Sequence, residues 1–197
     1  MNSAAGNFLA TAEDLTPKGF KTVMDIDTVG VYTCAWAAHE ALKASGRGVI
    51  INISATLHYG ASWYQVHASA AKAAIDSVTR SLALEWGTYG IRIAGVAPGP
   101  IAGTPGLTKL SGGMDEATME EFIGQGVPIG RMGTKFEIAM TALFIVWNGY
   151  ITGDTFVVDG GEWLFKRPNI PRDMVKEIAK GVEKQSRAMK ASETSKL

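Results

Sequence analysis

Hydrophobic positions along this chain switch between a helical period and continuous strand-like runs, and the two kinds of segment interleave. Phe20, Val23, Met24, Val31, Ala35, Ala38 and Leu42 recur at helical spacing across residues 20–44. Thr16-Pro17 just upstream joins an N-cap residue to a proline suited to the first helical position, and Gly46 and Gly48 stop the helix. Val49-Ile50-Ile51-Asn52-Ile53-Ser54 is a nearly unbroken β-branched run, the pattern of a strand covered on both faces of a parallel sheet. After a loop with Gly60, Ala68 to Trp86 reads as a long helix rich in small residues, ended by Gly87 and Gly90. Ile91 to Ala97 is the next strand, closed by Pro98-Gly99-Pro100. Residues 101–134 read as irregular, with one short helix from Met114 to Gly124. Phe136 to Trp147 is helical, and Thr155 to Asp159 is a strand stopped by Gly160-Gly161. From Pro171 onward, Met174, Ile178 and Val182 predict a last amphipathic helix. This order predicts an α/β fold, a doubly wound parallel sheet of the Rossmann type.

Composition narrows the chemistry. With 197 residues, 46% of them hydrophobic and 19% charged, the chain suits one packed domain. Nineteen basic and nineteen acidic side chains cancel, so no nucleic-acid partner is expected. The lone Cys34 excludes an intramolecular disulfide and a Cys-rich zinc site, and fits a reduced compartment. His39, His58 and His67 have no metal-ligand spacing, so no metal is expected. No apolar run is long enough to span a bilayer and no signal peptide opens the chain, so no membrane role is expected. Charge is unevenly placed: residues 164–197 hold nine Lys/Arg against four Asp/Glu. The expected organisation is a main domain over residues 1–165 and a basic helix with its tail over 166–197. That helix reads either as a solvated face or as a docking element.

Two tempting motifs fail. Gly124-Gln-Gly126-Val-Pro-Ile-Gly130 follows a helical pattern rather than a strand and carries Pro128 where a helix should begin, so it is no phosphate-cradling turn. Without Gly-x-Ser-x-Gly, Ser54 or Ser62 with His58 has no nucleophile-elbow context.

Five segments then fall into register. Asn2-Ser3-Ala4-Ala5-Gly6, Asn52-Ile53-Ser54, Lys72 in its Ala-rich helix, Pro98-Gly99-Pro100-Ile101 and Asp159-Gly160-Gly161 together resemble the C-terminal portion of a short-chain dehydrogenase/reductase (SDR). The resemblance covers nearly the whole chain. It implies that the superfamily's opening β-α units, roughly 100 residues with the Gly-rich pyrophosphate turn, are missing here. A splice form, a truncated gene model and a non-catalytic subunit paired with a full-length partner all stay open.

The departures matter as much. The superfamily tyrosine, four residues before the lysine, is replaced by Ala68, while Tyr59 and Tyr64 lie out of register. Where an asparagine is expected, three residues before Gly30, stands Asp27. An SDR that keeps Lys, lacks Tyr and bears this Asp resembles the peroxisomal 2,4-dienoyl-CoA reductase family, in its plant-type branch. That resemblance implies NADPH as cofactor, a 2,4-dienoyl-CoA as substrate, and Asp27 and Lys72 as catalytic residues. Whether Asp27 donates the proton or orients the water that does so stays open. Cofactor contacts are implied at Asn2, Gly6, Lys72, Pro98, Gly99, Pro100, Ile101, Ala102, Gly103 and Thr104. Substrate contacts are implied at Phe8, Thr16, Pro17, Lys18 and Lys109. The ending Ser195-Lys196-Leu197 is a peroxisomal address read by an import receptor. Helices 20–44 and 68–86 resemble SDR dimer faces, implying a homo-oligomer or a hetero-oligomer with a full-length form. Another SDR activity, such as 3-oxoacyl reduction, is disfavoured by Ala68.

Overall fold

The computed structural model describes residues 1–110 and 112–194. Its centre is a parallel sheet of three strands, β1 (Val49–Ile53), β2 (Arg92–Pro98) and β3 (Thr155–Val158), in the order β1-β2-β3. Ile51 pairs with Ala94 and Val96 with Phe156 in the two ladders. Helix α1 (Pro17–Met24) passes through a π-helical turn, Asp25–Val29, into α2 (Gly30–Ser45). After β1 comes α3 (Val66–Trp86). Short helices α4 (Pro105–Leu110) and α5 (Glu116–Gly124) follow β2, and α6 (Lys135–Trp147) leads back to β3.

The unbroken apolar runs are explained by two cores. Ile50, Ile91 and Ile93 pack with Ala35 of α2 and Leu82 and Ala83 of α3. On the opposite face Ile51, Ala94 and Val96 pack with Ile145 of α6. Successive strand side chains point to opposite faces, so a sheet covered twice needs an apolar residue at every position. The predicted doubly wound α/β architecture is what forms. Asn2 adds a one-residue bridge on the other side of β1, its amide donating to the Ile51 carbonyl at 2.8 Å and its carbonyl accepting from Ile53 at 2.9 Å. Its side chain donates to Asn52, which donates to Thr79 of α3, both at 2.9 Å.

Element boundaries depart from the sequence reading by one or two residues at several ends, and by more at the first helix and at α4. The helix expected over 20–44 begins at Pro17 and is interrupted by the π-helical turn, which apolar spacing does not register. Thr16 caps it as expected, accepting from the Gly19 amide at 3.1 Å. Helix α4 lies inside a stretch read as irregular, and α3 starts two residues before Ala68. At the far end of α6, Arg92 donates to the carbonyls of Ile145 and Val146, which the helix end leaves unpaired, and to that of Ile151 in the following loop, all at 2.9 Å.

Two units are separable, Met1–Phe165 and Lys166–Leu197. The second holds helix α7 (Arg172–Thr194), on which Met174, Val175, Ile178 and Val182 are exposed. Ser195, Lys196 and Leu197 lie outside the described residues. No helix among the described residues is long and apolar enough to cross a membrane.

The start of α6 carries a pH signature. Thr134 and Glu137 form a reciprocal capping box, and Arg131 donates to both Glu137 oxygens, at 3.1 and 2.7 Å. Arg131, then the Thr134 amide and hydroxyl, hold the Glu137 carboxyl down at about 2. A carboxylate whose folded-state value is depressed stabilises fully above its unfolded value, near ~4.3, and loses that contribution as pH falls through the folded value. Glu137→Gln should therefore be less stable than the parent at neutral pH in urea titrations. The gap should close as pH falls from about 4.5; a gap independent of pH would contradict it.

Candidate active site

The π-helical turn sets the site. Its extra residue widens one turn and brings Asp27 against the first half of α3, where Thr28 Oγ1 donates to the Ala71 carbonyl at 3.3 Å. Asp27 is 1% exposed and Lys72 7%, so neither is the solvated helix residue that spacing alone would allow. Lys72 Nζ stands 3.1 Å from Asp27 Oδ2, and it donates to the Ile53 carbonyl at the end of β1 at 3.2 Å. Gly6 N–H donates to Asp27 Oδ1 at 2.6 Å. The ion pair is close, but its direction is not that of a hydrogen bond, and Asp27 Oδ2 has no hydrogen-bond partner. Ala68 precedes Lys72 by one helical turn on the same helix face and is buried, so no hydroxyl stands there.

Of the other expected residues, Gly6 touches this pair directly. Asn2 and Gly6 are on the segment that approaches Asp27 and β1. Phe8 follows, half exposed, stacked on His67 with ring centroids 4.2 Å apart. Thr16, Pro17 and Lys18 form the exposed N-terminal turn of α1, and Phe8 reaches this turn: a Cβ on Gly19 would meet its Cζ at 3.2 Å.

Pro98, Gly99, Pro100, Ile101, Ala102, Gly103 and Thr104 leave the carboxyl end of β2, the side of a parallel sheet where ligands bind. Gly99 is required, because a Cβ would come within 2.7 Å of the Asp159 Cβ. Ile101 bridges to Gly133, and Thr104 Oγ1 donates to the Ile101 carbonyl at 2.9 Å. Pro100 and Ile101 also line an open cleft of about 380 Å³ with Arg131, Gly133 and Gly160, which neither Asp27 nor Lys72 lines. Lys109 falls on α4.

A nicotinamide nucleotide fits the central residues. An ammonium has three donors; Lys72 gives one to the Ile53 carbonyl and stands beside the Asp27 charge, which leaves donors for a sugar hydroxyl. Asp27 Oδ2 is a buried acceptor that still needs a donor. Among the described residues no group of His, Cys, Asp and Glu could hold a metal.

Sequence reasoning missed His67 and the pair His58–Asp76. His58 Nε2 lies 2.8 Å from Asp76 Oδ2, whose other oxygen accepts from Thr155 at 3.1 Å. This pins the loop after β1 to α3 and β3. Nothing in the spacing of residues 58, 76 and 155 marks them as neighbours. Tyr59 packs edge-on against His58 and Trp163, away from Lys72's ion pair, and burial with the negative charge of Asp76 raises its pKa. Tyr64 is exposed in a left-handed conformation, φ 61°, just before α3.

Parallel strands with helices on both faces, and a buried lysine–acid pair at the carboxyl end of β1, define a doubly wound α/β domain with a candidate site at its strand ends. The chain belongs to the short-chain dehydrogenase/reductase family: the family model described as Enoyl-(Acyl carrier protein) reductase matches residues 1–162. It is 53% identical over 199 aligned residues to a peroxisomal 2,4-dienoyl-CoA reductase [(3E)-enoyl-CoA-producing] of Arabidopsis thaliana, covering 95% of this chain and 65% of that protein. A probable 2,4-dienoyl-CoA reductase [(2E)-enoyl-CoA-producing] of Bacillus subtilis is 45% identical, with 85% of this chain and 66% of the relative covered. Among solved structures, a short chain dehydrogenase from Bacillus anthracis superposes with a TM-score of 0.74 at 38% identity, covering 85% of this chain and 65% of that one. ElxO with NADP bound gives 0.73 at 27%, covering 82% and 65%. The resemblance read from residues 2–6, 27, 72 and 98–104 is borne out, and the chain spans about 65% of the Arabidopsis relative's length.

The buried pair makes a stability prediction. Lys72→Met leaves Asp27 buried without its counter-charge and should cost about 3–5 kcal/mol in urea unfolding. Adding Asp27→Asn should recover most of that loss. A double variant no more stable than Lys72→Met would show that the pair is not what holds the turn.

Proposed function

We propose that this chain carries the reducing site of an NADPH-dependent 2,4-dienoyl-CoA reductase, forming 3-enoyl-CoA in the peroxisomal β-oxidation of unsaturated fatty acids. The observation that carries the reading is the buried Asp27–Lys72 pair facing an alanine, Ala68, where a carbonyl-reducing SDR has tyrosine. The relatives named for dienoyl-CoA reduction agree with it.

Bound NADPH supplies the hydride. Reduction of a conjugated dienoyl thioester moves negative charge onto the thioester oxygen, and a proton must then reach the carbon beside the thioester. A tyrosine that protonates an alkoxide has no task in that sequence, which makes Ala68 chemically sensible. Lys72 holds the nicotinamide ribose and adds positive potential near the developing charge. Asp27, with Oδ1 fixed by Gly6 and Oδ2 unbonded, holds the water that carries the proton. Phe8 lines the acyl site, and Thr16, Pro17, Lys18 and Lys109 face the CoA portion. Asn2, Gly6 and Pro98 to Thr104 enclose the nicotinamide end. Tyr32, Trp36 and Leu84, exposed on α2 and α3, are the surface for association with a second SDR chain.

The test is steady-state turnover of 2,4-hexadienoyl-CoA in a chain extended at its amino end by the preceding segment of the Arabidopsis relative. Asp27→Ala should lower turnover at least about tenfold, the low side of general acid–base contributions, with NADPH affinity nearly unchanged. Lys72→Ala should damage both. Tyr59→Phe and Tyr64→Phe should keep most activity. A dead tyrosine variant beside an active Asp27→Ala would make this a carbonyl-reducing SDR instead.

Localisation is testable separately. A fluorescent fusion that leaves the carboxyl end free should mark peroxisomes, and deletion of Leu197 should leave it in the cytosol. Punctate signal after that deletion would show that the last three residues are not the address.

A further inference from the structure

His67 is wholly buried, and neither of its ring nitrogens has a hydrogen-bond partner. A buried polar group left unpaired costs stability, so an apolar residue of similar size would hold this position better. Local choices that work against stability are expected where function requires them. What His67 does touch is Phe8: the two rings stack with an interplanar angle of 24°. The segment carrying Phe8 is anchored residue by residue. Gly6 N–H bonds Asp27, Asn7 Nδ2 reaches Gln65 Oε1 at 3.4 Å, and Ala10 N–H bonds the Tyr64 carbonyl at 3.0 Å. Phe8 sits within this run, 40% exposed, with one ring face on His67 and its tip beside Gly19 of α1.

We propose that His67 is a specificity-determining positioning residue for the acyl site. It backs one face of Phe8 and so sets the plane of that ring, against which a flat, conjugated acyl group stacks better than a saturated one. The proposal rests on the reading that Phe8 lines the acyl site. Being sealed from solvent, His67 acts through Phe8 and does not touch the substrate. Flat π systems gain from offset stacking only when the rings are held at a suitable angle, and a freely rotating Phe8 would offer the same apolar area to any acyl chain.

The test is calorimetric titration of the full 197-residue chain with 2,4-hexadienoyl-CoA, hexanoyl-CoA and free CoA. His67→Leu, which fills the site without a ring, should lower the preference for the dienoyl over the saturated thioester by about fivefold, the scale of one aromatic contact. Binding of free CoA should not change. His67→Phe should keep the preference and melt a few degrees higher, because it keeps the stack and removes the unpaired nitrogens. An unchanged preference in His67→Leu, while Phe8→Ala abolishes it, overturns the role of His67 and leaves the acyl site standing. A preference that survives Phe8→Ala, or no binding of either thioester by the parent chain, overturns the acyl-site reading and the proposal with it.

Discussion

One buried ion pair organises the chemistry and the local fold together. Lys72 reaches Asp27 and the Ile53 carbonyl, and Asp27 reaches the Gly6 amide, so four segments distant in sequence meet at two side chains. Two charges taken out of water are tolerated only when each is paired and bonded. Their partners therefore have little freedom: the π-helical turn must open at Asp27, β1 must end at Ile53, and the amino-terminal segment must pass close enough for Gly6 to donate. The same constraint leaves Asp27 Oδ2 and part of the Lys72 ammonium without a hydrogen bond.

The sheet provides the frame that makes this pairing possible. Because β1 and β2 are covered on both faces, their ends are fixed by packing, and the loops that leave them emerge at one edge. Gly99 lets the turn after β2 lie against Asp159, while Ile101 and Gly133 close it from the other side. Loop positions held this closely can carry binding residues without the looseness that loops otherwise have.

Absence of a tyrosine changes what the site can do rather than emptying it. On the proposed reading, electrostatic support from Lys72 and a water held by Asp27 stand in for a hydroxyl donor at the position of Ala68. The stack of Phe8 on buried His67 is a second local constraint beside the ion pair.

Local pattern by itself determined the elements and their class. The β-branched runs at 49–53 and 91–97, the Thr16-Pro17 cap and the glycine stops follow from short-range sterics and from which side chains avoid water. The resemblance also singled out Asp27, Lys72 and Ala68 from sequence order. What the tertiary structure alone decided was burial and partnership. Asp27 and Lys72 would read equally well as solvated helix residues, and only the packing of α1 and the π-helical turn against α3 removes them from water and joins them to Gly6 and Ile53. The π-helical turn, the His58–Asp76–Thr155 contact and the stack of His67 on Phe8 left no periodic trace. Each joins residues whose separation along the chain carries no information about their separation in space, and contacts of that kind form only once the sheet has closed.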